Sequence, residues 1–437
     1  MKHIKILFGV IVLSLVLLVT TAFIHTKNNS NKKLDLETSV VKAIQNKNAI
    51  LYALRTTELR KALDLYFQKA IKSGAIVGAG VSIVKEDSIV ISAGFGKRNM
   101  NVETNVDGET VFRLGSLSKG FGGVLAASLA SEGTLSFDDN ITTYLPDFQF
   151  GDKYNTQQIK FSHILSHTSG TPYHSFTNLV EAGVPVASIA NRFDEVTPIS
   201  KPGTQYSYQN AMFALSQEVI KKATGKDVKT LLTNKFFTPL GMSHVTMNHK
   251  DLLKEENVAF PHRRAGKGWR KLPLTDKYYN AVLAGGINAS SDDMGKWMRF
   301  ILGYNPDVLQ SAAIQQVFNP FITFKNKNKY YQRWEGHLKS SYGFGWRIHE
   351  YQTPDAKSIE TVWHHGGSVN NYRNEIAIYP ESNLGICVLL NGNSRLAKTV
   401  IPDLHEIVKS VFSQDKFLSL QNKNYEHQMV NVSLQEY

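Results

Sequence analysis

Ser116 and Lys119 stand three positions apart in Phe112-Arg113-Leu114-Gly115-Ser116-Leu117-Ser118-Lys119-Gly120. On a helix, positions i and i+3 share a face, so the lysine amine can reach the serine hydroxyl. A hydroxyl becomes a nucleophile when a base takes its proton, and a desolvated neutral lysine can be that base. Ser-x-x-Lys is common in this chain, starting also at Ser30, Ser39, Ser82 and Ser413. Context separates them: two lie in a polar N-terminal stretch, Ser82 lies on a predicted strand, and Ser413 begins a polar tail. Only Ser116 has a glycine before it and a small, apolar run after it, Phe121-Gly122-Gly123-Val124-Leu125-Ala126-Ala127. Such a helix can be buried, and burial is what a low-pKa lysine needs. Taken alone, the pattern also describes an ordinary helix start with a capping serine.

Two further segments carry partners for that chemistry. In Pro202-Gly203-Thr204-Gln205-Tyr206-Ser207-Tyr208-Gln209-Asn210, a turn delivers Tyr208 and Asn210 just ahead of a helical pattern over Ala211–Ala223. A phenol can shuttle a proton when cations lower its pKa, and an amide can hold a substrate carbonyl. Tyr-x-Asn recurs at Tyr278 and Tyr372, so a tyrosine that merely packs a loop is the competing reading. The other segment, Trp363-His364-His365-Gly366-Gly367-Ser368-Val369-Asn370, ends a predicted strand. Consecutive glycines let a substrate approach the strand edge, and an N–H beyond them could donate to an oxyanion. The paired histidines lack further ligands at metal-binding spacing, so no metal and no cofactor is expected. His167, in Leu165-Ser166-His167-Thr168-Ser169-Gly170, reads as a hydrogen-bonded structural residue before a catalytic base.

The elements that must position these residues follow from periodicity. Apolar residues at helical spacing predict an amphipathic helix over Leu51–Ser73, and Val77–Val84 and Ser88–Phe95 predict a hairpin. The middle of the chain is helical patterns and loops. Strands return at Tyr342–His349, Thr361–His365, Tyr372–Tyr379 and Gly385–Leu390, before a closing helix at Ile401–Phe412. The expectation is an α/β fold of the α+β type: one antiparallel sheet from both chain ends, flanked by helices, with an inserted, mostly helical domain. The sheet subdomain would take about 51–115 and 330–413, and the helical one about 116–329.

The chain has 437 residues, 42% apolar and 20% charged, which excludes disorder and a disulfide-stapled mini-protein. Its one cysteine, Cys387, excludes internal disulfides and cysteine zinc clusters. A basic start, Met1-Lys2-His3-Ile4-Lys5, precedes an uncharged run from Leu7 to Ile24. Residues 1–27 thus read as a membrane anchor or a cleaved signal peptide, 28–50 as a polar tether, 51–413 as the folded body and 414–437 as a tail. Both readings of the leader place the body outside the cytoplasm, in the cell envelope. The net charge of +12 then points to an anionic envelope polymer such as peptidoglycan, and away from nucleic acid. His262–Lys271, rich in cations, reads as a solvated loop or as a contact for such a polymer.

Together, Ser116-x-x-Lys119, Tyr208-x-Asn210 and His365-Gly366-Gly367 in this order resemble the serine β-lactamase and penicillin-binding-protein superfamily, in its class C-like branch. The resemblance covers about 55–412. It implies a β-lactamase/transpeptidase-like fold, with Ser116 as acylated nucleophile, Lys119 as general base and Tyr208 as proton carrier. It also implies that Asn210, His365, Gly367 and Ser368 bind the substrate, with the N–H groups of Ser116 and Ser368 forming an oxyanion hole. The reaction implied is acyl transfer on a small molecule, peptide or ester, as in DD-peptidases and esterases of this branch. One departure matters: the β-lactamases of the branch carry Lys-Thr-Gly where this chain has His365-Gly366-Gly367. A neutral histidine replaces a fixed ammonium poorly, which weakens the alternative of a true β-lactamase. A non-catalytic penicillin-binding scaffold is the remaining alternative, and the intact serine, lysine, tyrosine and asparagine argue against it. His364-His365-Gly366 also reads as His-x-Gly, so the register of that motif is open.

Overall fold

The computed structural model describes residues 48–325, 328–354 and 357–412. The expected anchor, nearly all of the tether and the tail from 414 lie outside these residues. Among the described residues, no helix is long and apolar enough to cross a membrane. The chain divides into two compact units, Arg60–Lys409 and a smaller one of Met1–Leu59 with Ser410–Tyr437. In the smaller unit, the Arg55 guanidinium lies 5.8 Å from the centre of the Phe412 ring.

Among its described residues the larger unit holds twelve strands: β1 (Gly78–Lys85), β2 (Ser88–Gly96), β3 (Val111–Arg113), β4 (His262–Ala265), β5 (Gly268–Lys271), β6 (Asn288–Ser290), β7 (Ile322–Thr323), β8 (His337–Tyr342), β9 (Arg347–Gln352), β10 (Ile359–Val369), β11 (Tyr372–Tyr379) and β12 (Leu384–Leu390). Eight of them form one antiparallel sheet in the order β2-β1-β12-β11-β10-β9-β8-β7. Strands near the two ends of the chain meet inside it, one strand in from the β2 edge, Ala79 opposite Leu390 and Val84 opposite Gly385. Every residue of β12 is buried, as a central strand covered on both faces requires. Helices carry the middle of the chain, so the fold is the mixed α/β architecture expected, a large antiparallel sheet with helices around it.

Ser118–Ser131 is the innermost helix, with every residue from Ser118 to Leu129 buried. It has no polar stripe because apolar neighbours surround it: Phe121 stacks on Trp297 at 4.1 Å, and Leu125 and Leu129 belong to the main core. Two expectations are corrected. The strand expected over Tyr342–His349 is two strands, β8 and β9, parted at Gly343-Phe344-Gly345-Trp346. Gly345 (φ +79°) comes so near the helix that a Cβ there would stand 2.2 Å from the Lys119 carbonyl, so the chain turns where it docks. Second, His262–Lys271 is a paired hairpin, β4 with β5, rather than a loop. Its Trp269 is buried and donates from Nε1 to the Gly74 carbonyl at 2.9 Å, while Arg263, Arg264 and Arg270 stay exposed.

Candidate active site

Ser116 lies in a single 3₁₀ turn, Gly115–Leu117, that leads straight into the Ser118–Ser131 helix. The turn is tight: Gly115 has φ +57°, and a Cβ on it would meet the Ser368 backbone at 2.8–2.9 Å. Only glycine fits both demands, and the close approach brings the end of β10 beside the nucleophile. Asn374 of β11 fixes the segment from the other side, its Nδ2 donating to the carbonyls of Arg113 (2.8 Å) and Leu114 (3.1 Å).

One helical turn on, Lys119 is fully buried. Its Nζ is 2.8 Å from Asn210 Oδ1, 2.7 Å from the Ala284 carbonyl and 3.4 Å from Ser116 Oγ. No carboxylate within 4 Å pairs with it among the described residues. Burial, helped by the charge of Arg347, holds the amine well below its ordinary pKa. A neutral amine has two protons and one lone pair. With the protons directed at Asn210 and Ala284, the lone pair faces Ser116, which is the arrangement a proton acceptor needs.

Tyr208 and Asn210 close the other side. Pro202–Asn210 is braced on the 165–170 loop by Gly203 N–H to the Thr168 carbonyl (2.7 Å) and Ser207 N–H to the His167 carbonyl (2.8 Å). The Tyr208 hydroxyl is hydrogen-bonded to Ser116, and Lys119 Nζ stands 4.9 Å from the centre of its ring. Burial pushes this phenol up to about 12, although Arg347 and the Ser116 bond pull the other way. The expectation of a phenol acidified by cations is thereby corrected: at neutral pH Tyr208 holds its proton and can only give it. Asn210 opens the Asn210–Thr224 helix, with its Oδ1 taken by Lys119 and its Nδ2 donating to the Tyr278 hydroxyl at 3.1 Å. His167 is buried under Tyr208, ring centres 4.2 Å apart, and its Nδ1 accepts the Gln209 N–H at 3.2 Å. It shapes the floor as a neutral imidazole, held there chiefly by burial, with the charge of Arg347 adding to it.

The strand period of two decides the histidine register. His365 points toward the serine side: its Nδ1–H donates to the Gly366 carbonyl (2.8 Å) and its Nε2 accepts from the Tyr342 hydroxyl (2.9 Å). Both nitrogens are occupied, and burial with the charge of Arg347 keeps the ring neutral. His364 points to the opposite face, into a continuous chain that is buried except at His337, its half-buried end. That chain runs His337 Nε2 to Ser340 Oγ (2.7 Å), Ser340 Oγ to His349 Nδ1 (2.8 Å), His349 Nε2 to His364 Nδ1 (3.2 Å) and His364 Nε2 to Glu375 Oε2 (2.9 Å). Burial raises Glu375 to about 7 and lowers His364 well below 6.5, so their contact is a hydrogen bond more than an ion pair. Gly367 admits no side chain, since a Cβ would stand 2.1 Å from the Leu114 carbonyl.

β9 stops pairing with β10 at Arg347 opposite His364, which leaves the edge of β10 beyond His365 without a neighbour on that side. There a cavity of about 1070 Å³ opens, with Ser116, Tyr208, Asn210, Gly366 and Ser368 in its wall, a size that suits a small organic ligand. Arg347 and Arg373 line it as well. Arg347, Tyr278, Tyr342 and Asn374 are the participants that sequence reasoning missed. Tyr278 and Asn374 sat in or beside the Tyr-x-Asn repeats noted above, whereas Arg347 and Tyr342 carried no spacing signal.

A serine with a buried lysine one turn on, beneath the open edge of an antiparallel strand, defines the class: the β-lactamase/transpeptidase-like fold carrying a serine site. The match to the Beta-lactamase family covers residues 63–406, and the chain belongs to that family, within the serine β-lactamase and penicillin-binding-protein superfamily. It is similar to Protein flp of Staphylococcus aureus, 24% identical over 360 residues that make up 80% of this chain and 66% of that protein. It is also similar to Unguisins hydrolase ungD' of Aspergillus campestris, 26% identical over 364 residues, 78% of this chain and 63% of that one. The chain thus spans a little under two thirds of the length of these curated relatives. Among solved structures, the octameric penicillin-binding protein homologue from Pyrococcus abyssi superposes with a TM-score of 0.67 at 23% identity, over 79% of this chain and 77% of that one. EstCE1, a hydrolase with promiscuous acyltransferase activity, gives 0.69 at 18% identity, over 81% and 99%. At these identities the two structures speak for the fold alone.

Proposed function

We propose that this protein is an exported serine hydrolase that forms an acyl-enzyme on Ser116 and takes an ester or a D-amino-acid peptide. The observation that carries the reading is Lys119: buried, depressed in pKa and aimed at Ser116 Oγ from 3.4 Å. Lys119 takes the hydroxyl proton as Ser116 attacks the substrate carbonyl, and the N–H groups of Ser116 and Ser368 receive the oxyanion. Tyr208, a neutral phenol, then protonates the leaving group and regains its proton from Lys119. Water releases the acyl group by the same route in reverse. A relative named as a hydrolase agrees with this reading. The apolar run from Leu7 to Ile24 would hold the enzyme at the outer face of the membrane, beside anionic wall polymer.

The test is covalent labelling. A fluorescent penicillin or a fluorophosphonate should add to the Ser116 peptide by mass spectrometry, and p-nitrophenyl ester hydrolysis should vanish in Ser116→Ala. Full activity in that variant removes the mechanism. Protease shaving of intact cells should release the body if it faces outward.

A further inference from the structure

The hairpin His262–Lys271 carries Arg263, Arg264, Lys267, Arg270 and Lys271, and no Asp or Glu occurs between Glu256 and Asp276. Arg263 stands directly opposite Arg270 across the two strands, and both are exposed. Strand alternation puts this pair on the face away from the buried Trp269. Like charges opposed in this way destabilise a hairpin, and an anion lying between them would relieve it. Two of the other cations sit on rings: the Arg264 guanidinium is 4.5 Å from the centre of Trp269, and Lys271 Nζ is 3.9 Å from that of Phe260. Arg263, Lys267 and Arg270 have no carboxylate within 4 Å among the described residues. The hairpin is firmly seated, by Trp269 as above and by the His262 N–H, which donates to the Asn391 carbonyl at 2.8 Å.

A second exposed turn stands beside it with a different chemistry. Lys97 bridges to Asn105, and the Arg98 N–H donates to the Thr104 carbonyl at 2.9 Å. Between them Met100 and Val102 are exposed to solvent. The one acid of this turn, Glu103, is paired with Lys97 at 2.5 Å. The two loops share a base: the Met100 N–H donates to His262 Nε2 at 3.2 Å, and the Phe260 N–H to the Arg98 carbonyl at 2.8 Å. Cations flanked by exposed apolar side chains suit the headgroup region of a bilayer, where the charges meet phosphate and the apolar tips enter the acyl boundary. A hydrated polyanion has no place for those tips.

We propose that the 262–271 hairpin and the 97–105 turn dock together on a bilayer bearing anionic phospholipids. Arg263, Lys267 and Arg270 meet the lipid phosphates, while Met100 and Val102 enter the interface. This goes beyond the serine-hydrolase reading and stands whether or not Ser116 is acylated. It also bears on the cavity. The Pro273 carbonyl, two residues past the hairpin, accepts from Asn370 Nδ2 at 3.0 Å, and Asn370 lies two residues past Ser368. A docked hairpin thus fixes how the cavity faces the lipid.

A fluorophore on the full chain tests it. Cys387 is buried, so a thiol-reactive NBD dye added to the Met100→Cys protein reports from the turn. On mixed phosphatidylcholine and phosphatidylglycerol vesicles its emission should shift to the blue and be quenched by doxyl-labelled lipid. On pure phosphatidylcholine it should stay water-like, and about 1 M NaCl should reverse the shift on the mixed vesicles. The leader is present in every arm, so it does not account for a difference between lipids. Adding Arg263→Gln with Arg270→Gln should lower the ratio of docked to free turn roughly thirtyfold, about fivefold per cation. Arg263→Lys with Arg270→Lys should keep the response, and neither pair should lower the melting temperature, which separates lost charge from lost folding. A label that stays water-like on anionic vesicles, or a response that the glutamine pair leaves intact, overturns the proposal. Binding of soluble polyphosphate with no response to vesicles also overturns it and gives the hairpin to a hydrated polyanion.

Discussion

Lys119 Nζ lies nearer to Asn210 Oδ1 than to Ser116 Oγ, 2.8 Å against 3.4 Å. Asn210 is thus placed to orient the amine, by accepting one of its protons without adding charge. Asn210→Asp should put an anion on the amine and raise its pKa, since an opposite charge favours the protonated form. Ester hydrolysis should then fall about a hundredfold at pH 7 and recover as pH rises, with the acidic limb of the kcat/KM profile moved upward. An unmoved profile would show that Lys119 is not the base.

Tyr208→Phe separates proton donation from attack. A phenol that donates to the leaving group matters most when that group is a poor one. The variant should lose roughly 10²–10⁴-fold on a D-alanyl peptide and far less on a p-nitrophenyl ester, whose phenolate departs unaided. Equal losses on both would assign Tyr208 to the attack step.

Gly115→Ala combines a left-handed backbone (φ +57°) with a clash against the Ser368 backbone, whereas Gly133, at φ +71°, has open space around it. Urea unfolding should show a loss of at least about 3 kcal/mol for Gly115→Ala and about 1 kcal/mol for Gly133→Ala. Acylation of Ser116 should suffer only in the first.

The buried histidines set a pH dependence of stability. His167, His349, His364 and His365 are all held well below 6.5, so the stability they lend is present above pH 6.5 and is lost as pH falls toward their folded values. Glu375 works the other way: raised to about 7, it favours the fold most below pH 4.5 and loses that effect as pH rises through 7. Four groups oppose one, so the melting temperature should drop between pH 7.5 and pH 5. Glu375→Gln removes the opposing group and should steepen that drop in a thermal-shift series.

Much of the site was legible because its chemistry is local. Ser116 with Lys119 and Tyr208 with Asn210 are each short motifs on one turn or loop, and the structure brings the four side chains together. What was not legible depends on contacts between distant segments. The break in the expected Tyr342–His349 strand comes from docking against the Lys119 backbone, and the glycines alone do not announce a partner 226 residues away. Arg347 is one arginine among many until β9 is seen to stop beside the cavity. The two histidines could not be told apart by spacing, yet alternation along β10 sends one to the serine and the other to Glu375. The Tyr208 phenol is not acidified because burial outweighs the charge of Arg347.

The pairing of β1 with β12 has a consequence for the order of events in the cell. Strand residues more than three hundred positions apart must meet before the sheet closes, and β10, which borders the nucleophile, is held through β11 to β12. Such long loops make assembly slow relative to a helical bundle of the same size. A chain synthesised from its N-terminus therefore presents Ser116 early but completes the groove around it only after β12 arrives. The groove is complete only late, once nearly the whole polypeptide has been made.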